Sequence, residues 1–166
     1  MRLTIGALFM GHGLQKLAGW FGGPGLENLA GGFEQMGLRP GKVHAAAAGA
    51  AEAGGGMLLV AGRATPLAGA TLTGVMTTAI DKVHWQKGVW NQSGGFEYNA
   101  VLIASLFALT AEEDGLGWAL AQLAAGVAGG LAVSRLELAQ MRQRQAEPTA
   151  RFRREDEAVT TESIAG

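Results

Sequence analysis

Several polar residues that could bind a ligand or transfer a proton lie inside apolar segments. His12, Gln15 and Lys16 are spaced i, i+3 and i+4, which places them on one face of a helix. Glu52 is the only formally charged residue in the apolar stretch 43–62. A lone carboxylate in an apolar medium must be paired, protonated or solvated. We therefore expect Glu52 to pair with Lys16 or His12, and Glu52 and His12 are candidates for a proton relay.

A second set of polar residues is predicted to lie near Lys16 because of the direction in which the helices run. His84 ends the third apolar segment, and Glu97, Tyr98 and Asn99 begin the fourth. Antiparallel helices bring these residues to the half of the bundle that contains Lys16. We predict that one polar pocket binds an amphipathic ligand, beneath a cover of Gly-rich connections that carry Trp20, Phe21, Phe33, Trp85, Trp90 and Phe96. Its candidate ligand-binding residues are His12, Gln15, Lys16, Glu52, His84, Glu97, Tyr98 and Asn99.

Two structural interpretations compete with this pocket. Trp and Phe side chains commonly anchor helices at a membrane interface. The pairing of Lys16 with Glu52 is also compatible with an ion pair that only sets helix register. Three histidines without spaced carboxylate partners predict no metal site.

The elements that must position these residues are apolar helices. A membrane-spanning helix needs about 20 mainly apolar residues, and 12 of the 27 charged residues lie in the last 32 positions. We predict an all-α polytopic membrane protein: a four-helix transmembrane bundle with a fifth apolar helix. The predicted helices cover 3–21, 43–62, 66–83, 96–111 and 116–134. Residues 1–134 form the transmembrane domain, and 135–166 form a polar cytoplasmic tail that is partly disordered.

Charge placement predicts orientation and excludes some functions. Five spans place Arg39, Lys42, Lys82, Lys87 and the six tail arginines on one side, and Arg2 and Arg63 on the other, whereas four spans would place the tail with Arg2 and Arg63; the five-span charge separation is the cleaner one. The positive-inside rule then makes the C-terminus cytoplasmic. A net charge of -1 excludes general nucleic-acid binding, and the absence of cysteine excludes disulfides and thiol chemistry. A soluble bundle of buried helices and an N-terminal signal peptide are the alternatives to this membrane assignment.

Three motifs in order resemble the DoxX family of small bacterial membrane proteins. They are R-L-T-I-G-A-L-F-M-G-H-G-L-Q-K at 2–16, A-E-A-G-G-G-M-L-L-V-A-G at 51–62, and the stretch 76–98 that ends in G-G-F-E-Y. The resemblance implies a four-helix membrane core with Lys16, Glu52 and Glu97 at the family's polar positions. The acidic stretch 111–117, the fifth apolar segment and the Arg-rich tail depart from the family pattern.

The resemblance also implies a redox context. The family takes its name from subunits associated with quinol oxidation and thiosulfate:quinone oxidoreduction, and mycobacterial members are linked to a membrane oxidoreductase complex. We therefore expect a quinone-interacting subunit in the bacterial cytoplasmic (inner) membrane, which receives electrons from a bound cofactor or a partner. The alternatives are a non-catalytic anchor for soluble redox enzymes at the cytoplasmic face, and a small proton-coupled transporter that forms a homo-oligomer.

Overall fold

The chain folds into helices. A computed structural model describes residues 1–135 and Ala139, and in this part of the chain there is no β-strand. The α-helices are α1 (Arg2–Ala18), α2 (Gly25–Gln35), α3 (Gly41–Ala61), α4 (Thr65–Ala79), α5 (Glu97–Glu113) and α6 (Leu116–Arg135). One π-helical turn, Ile80–His84, continues α4, and 3-10 turns cover Trp20–Gly22, Trp85–Lys87 and Asn91–Ser93. The all-α prediction is confirmed.

Glycine ends two of the helices. Gly19 follows α1 with φ 70°, and Gly62 follows α3 with φ 63°. Both values lie in the left-handed region, where a residue with a Cβ is disfavoured. The first helix therefore ends at Ala18 and does not continue to Phe21 as predicted. Pro66 lies in the first turn of α4, where its missing N–H costs no hydrogen bond.

Helix α2 was not predicted, because the stretch 22–42 was interpreted as a Gly-rich connection. Leu26, Leu29 and Phe33 are nevertheless spaced i, i+3 and i+7, which gives α2 one apolar face. This helix packs on α3 and, less extensively, on α1. It lies at the end of the bundle where α1 ends and α3 begins.

Small residues let α1 and α3 pack closely in antiparallel order. A Cβ added at Gly13 would lie 2.4 Å from the backbone nitrogen of Ala53 and 2.6 Å from the carbonyl oxygen of Gly49. One at Gly56 would lie 2.5 Å from the carbonyl oxygen of Gly6. Neither position can hold a side chain without separating the two helices. This contact sets Lys16 against the middle of α3.

The helix α6 packs on α4 through a second small-residue contact. A Cβ added at Gly126 would lie 2.6 Å from the carbonyl oxygen of Ala70, and one at Gly130 would lie 2.6 Å from that of Gly74. The hydroxyl of Thr78 donates to the carbonyl oxygen of Gly130 at 3.2 Å. The GxxxG spacing of Gly126 and Gly130 is typical of such close helix contacts.

The opposite end of the bundle is closed by polar contacts. Arg2 Nη1 lies 3.2 Å from Glu113 Oε1, and Thr65 Oγ1 donates to Glu113 Oε2 at 2.8 Å. These partners offset the unfavourable position of a carboxylate at a helix C-terminus. Helix α5 therefore extends past residue 111, where the sequence predicts its end.

Two helices, α3 and α6, are long and apolar enough to cross a membrane by length and composition. Only 33% of the apolar window of α3 and 22% of that of α6 is buried inside the protein. Core helices of soluble bundles bury most of their apolar surface, so these two helices present apolar faces outward. Apart from Arg135 and Ala139, the predicted tail at 135–166 lies outside the described residues.

Candidate ligand cavity

An ion pair is the polar centre of the candidate site. Lys16 Nζ donates a hydrogen bond to Glu52 Oε2 at 2.5 Å. Glu52 is only 2% exposed, whereas the side chain of Lys16 is 24% exposed. Lys16 occupies the last turn of α1, and Glu52 lies in the middle of α3. Of the two partners expected for Glu52, the structure places Lys16 in contact with it.

This ion pair borders a cavity of about 380 Å³ between α1, α3, α4, α5 and α2. Residues that are distant in the sequence meet there because helix direction brings together the end of α1, the middle of α3, the end of α4 and the start of α5. The predicted site residues that line the cavity are His12, Lys16, Glu52, His84, Tyr98 and Asn99.

Gln15 and Glu97 do not line the cavity. Gln15 packs against the loop at Gly23, where a Cβ on the glycine would lie 2.5 Å from Gln15 Cβ. Glu97 is exposed, and its Oε2 accepts a hydrogen bond from the backbone N–H of Asn91 at 3.1 Å. The sequence predicts Gln15 in the pocket because it shares a helix face with His12 and Lys16, and Glu97 because it begins the fourth apolar segment at the same end. In the structure, Gln15 instead contacts the loop at Gly23, and Glu97 contacts Asn91.

Hydrogen bonds hold the polar wall on the α4–α5 side. His84 Nδ1 lies 2.6 Å from the carbonyl oxygen of Gly94. A carbonyl only accepts, so Nδ1 carries the hydrogen. Asn99 Nδ2 donates to Met76 Sδ at 3.3 Å. These contacts connect the end of α4 to the loop before α5, and they orient both side chains at the cavity wall.

Lys82 is a cavity residue that the sequence analysis did not select. It lines the cavity, and its Nζ donates to the carbonyl oxygen of Ser134 at 2.9 Å. The contact ties the end of α6 to the π-helical turn Ile80–His84. In the sequence, Lys82 contributes only to the charge distribution that predicts orientation.

Helix α2 and the turn after it cover the cavity with Leu29, Phe33, Met36 and Leu38. The predicted aromatic cover is therefore largely wrong. Of its six members, Phe33 alone lines the cavity. Trp85 stacks on Phe96 at 5.6 Å between ring centroids, beside a separate groove. Trp20, Phe21 and Trp90 are exposed. The i, i+3, i+7 spacing in α2 was the signal that would have identified the cover.

The cavity combines apolar walls with a small group of convergent polar atoms. Phe9, Leu102 and the α2 side chains supply apolar surface, and the Lys16–Glu52 pair supplies charge. An ammonium group has three N–H donors, so Lys16 retains donors beyond its bond to Glu52. Among the described residues no group of His, Asp and Glu is arranged to hold a metal ion. The site is suited to a largely apolar ligand with hydrogen-bond acceptors.

One comparison with known proteins identifies a family. The family model described as DoxX matches residues 1–85, which is about half of the chain. The matched residues include both members of the ion pair and His84, but they end before Glu97. Neither a curated relative nor a solved structure matches the chain.

Proposed function

Because the chain belongs to the DoxX family of membrane proteins, we propose that it is a quinone-binding subunit of an oxidoreductase system in the bacterial cytoplasmic membrane. The observation that carries the proposal is the Lys16–Glu52 ion pair in the wall of an otherwise apolar cavity. A buried ion pair is costly to maintain. Its position at a cavity, with donors left over, favours a ligand site over a purely structural pair.

The cavity fits a quinone head group in size and polarity. Ligand pockets commonly measure about 300–1,000 Å³ and combine apolar walls with few polar groups. At about 380 Å³, the cavity has room for a quinone ring but not for a long isoprenoid chain as well. A quinone ring is flat and apolar and has carbonyl acceptors at opposite ends. Lys16, His12 and Tyr98 are the donors on the wall that would hold those carbonyls.

Two residues on the cavity wall, Glu52 and His12, can transfer protons. Reduction of a quinone consumes protons as well as electrons, and a positioned carboxylate or imidazole can transfer them. Glu52 and His12 lie on the same cavity, so we assign them the proton-relay role. Electrons come from a redox partner of the chain. Lys16 holds Glu52 in place and provides a positive charge beside the carbonyl that it binds.

The membrane placement rests on helix surfaces and charge. The outward apolar faces of α3 and α6 support a bilayer environment. Arg39, Lys42 and Lys87 lie at the cavity end of the bundle, and Arg2 and Arg63 lie at the other end. The excess of cations supports a cytoplasmic orientation for the cavity end. Soluble redox enzymes would then dock at that face.

Quinone content tests the proposal. The wild-type protein and Glu52→Gln are purified from native membranes in mild detergent, extracted with solvent, and assayed for quinone per protein. We expect near-stoichiometric quinone in the wild type and a loss of about tenfold in the variant, because a charge-assisted hydrogen-bond network is removed from the site. Lys16→Gln combined with Glu52→Gln should lose quinone as well.

Glu113→Gln is the matched control, since it removes a carboxylate from an ion pair at the opposite end of the bundle. It should retain wild-type quinone content. Absence of quinone from the wild-type protein, or equal content in all variants, would overturn the proposal. The anchor for soluble redox enzymes would then become the working account.

A further inference from the structure

A second void lies beside the cavity, between α3, α4 and α6. It is a groove of about 480 Å³. Its floor and walls are built mainly from small and aliphatic side chains, including Ala47, Ala51, Val75, Ala125, Gly129 and Val133. Ala47, Gly129 and Val133 are themselves exposed, so the groove opens on the outer surface of the bundle.

The hydroxyl groups on the groove wall are already engaged within the protein. Thr71 Oγ1 donates to the carbonyl oxygen of Leu67 at 2.9 Å. Thr78 Oγ1 donates to the carbonyl oxygens of Gly74 at 3.0 Å and Gly130 at 3.2 Å. Both hydroxyl hydrogens are therefore used within the protein. Apart from His44 and these two threonines, the residues that line the groove are apolar.

The groove and the cavity are contiguous. Four residues line both voids: Phe33, Leu38, Ala48 and Thr78. On one side of this shared wall lies the Lys16–Glu52 pair, and on the other lies the small-residue groove. The two voids therefore adjoin at these four residues, and neither member of the Lys16–Glu52 pair lines the groove.

We propose that the groove receives the isoprenoid chain of a quinone whose head group occupies the cavity. This inference rests on the function proposed above and specifies the ligand as a tailed, membrane-resident quinone. The cavity alone cannot hold such a chain, so the chain needs an exit. The groove is the void that shares a wall with the cavity, is lined mainly by small and aliphatic side chains, and opens at exposed residues of α6.

The small residues that line the groove leave room for a chain. Ala47, Ala51, Ala125 and Gly129 lie in this wall on α3 and α6, and larger side chains at these positions would fill part of the groove. A chain that moves from lipid into such a groove gains little hydrophobic free energy, since both surroundings are apolar. The role of the groove is therefore mainly steric. A head group can occupy the cavity only if there is space outside the cavity for its chain.

The test compares two probes in lipid nanodiscs. One is a naphthoquinone with an isoprenoid chain, and the other is the same ring with methyl in place of the chain. Binding is measured by equilibrium partition between nanodiscs with and without protein. Two groove-filling variants are used, Ala47→Leu and Gly129→Leu. A Cβ at Gly129 meets no atom within 4 Å, so this substitution extends into open space.

Matched controls place the same substitutions elsewhere on the outer surface. Ala124→Leu and Gly117→Leu change exposed residues of α6 that line neither void. A Cβ at Gly117 also meets no atom within 4 Å. We expect the groove variants to weaken binding of the tailed probe by about tenfold or more, since an occupied groove excludes the chain. Binding of the methyl probe and of both probes by the controls should stay at the wild-type value.

The outcomes separate this inference from the proposed function. Failure of the methyl probe to bind the wild-type protein removes the quinone site and the groove assignment together. Normal binding of the methyl probe, with tailed-probe affinity unchanged in Ala47→Leu and Gly129→Leu, overturns the groove assignment alone. Equal weakening of both probes would also overturn it. A phospholipid that displaces the tailed probe from the wild type, but leaves methyl-probe binding intact, would assign the groove to lipid acyl chains instead.

Discussion

Lys16 and Glu52 illustrate how strongly one buried charge depends on its partner. Glu52 is almost fully enclosed, and its neighbours on α3 are Ala and Gly, which offer no side-chain donor. The hydrogen bond from Lys16 Nζ therefore provides the compensation for a carboxylate in this wall. Because Lys16 is partly exposed to the cavity, a ligand there would contact the charged end of the pair.

In a double-mutant cycle on Lys16 and Glu52, we expect a stabilising coupling free energy. Glu52→Gln leaves the ammonium of Lys16 without its charged partner and should lower the free energy of unfolding by about 2 kcal/mol. Lys16→Gln combined with Glu52→Gln removes both charges and should recover part of that loss. Unfolding in mixed micelles, followed by circular dichroism, measures the two single variants, Glu52→Gln and Lys16→Gln, and the double variant. A double variant no more stable than Glu52→Gln alone would contradict this coupling.

At the scale of elements, glycine and alanine determine which helices meet. The α1–α3 contact positions the ion pair, and the α4–α6 contact positions one wall of the groove. In an apolar solvent, helices associate through close packing and not through exclusion of water. Glycines at these helix contacts therefore have a large effect on stability.

Alanine substitutions at the adjacent residues Gly129 and Gly130 should have opposite effects on stability. A Cβ at Gly130 would lie 2.6 Å from the carbonyl oxygen of Gly74, whereas one at Gly129 meets no atom within 4 Å. Gly130→Ala should lower the free energy of unfolding by about 1–3 kcal/mol because α4 and α6 must separate. Gly129→Ala should raise it by about 0.5–1 kcal/mol, since alanine restricts the unfolded chain and favours a helix.

The measurement is again unfolding in mixed micelles, with both variants compared at the same detergent fraction. If Gly130→Ala were as stable as Gly129→Ala, the close contact between α4 and α6 would be wrong. The groove would then lack the wall that its proposed role requires.

The whole molecule has two unlike ends. The cavity, helix α2 and the π-helical turn lie at one end together with Lys42 and Lys87, and the Arg2–Glu113 pair closes the other. This asymmetry gives the bundle a direction in a bilayer. A quinone site near the cytoplasmic face would be within reach of soluble electron donors and of water that supplies protons.

Cysteine labelling tests the orientation directly, because the chain contains no cysteine of its own. Gln86→Cys introduces one thiol at the cavity end, and Ala61→Cys introduces one at the other end; both positions are exposed. A membrane-impermeant maleimide should label Ala61→Cys in intact spheroplasts and Gln86→Cys only after lysis. The reverse pattern would place the cavity end outside, and labelling of both thiols before lysis would argue against a membrane between them.

The helical class, the ion-pair candidates and the half of the bundle in which the polar residues meet could all be predicted from the sequence. These follow from local signals: long apolar runs, i, i+3 and i+4 spacing, and the alternating direction of successive helices. An isolated Glu52 in an apolar stretch requires a partner in any fold, and Lys16 was one of two candidates.

Which residues face the cavity depends on how the helices and connections pack. Gln15 and Glu97 do not line the cavity because Gln15 packs on the loop at Gly23 and Glu97 accepts a hydrogen bond from the backbone N–H of Asn91, and both contacts depend on the paths of the connections. The cover came from α2 rather than from the tryptophans, because the path of a connection is fixed by the helices on which it packs. Lys82 lines the cavity for a reason that also depends on packing, because the carbonyl oxygen to which it donates belongs to Ser134 on α6, far away in the chain.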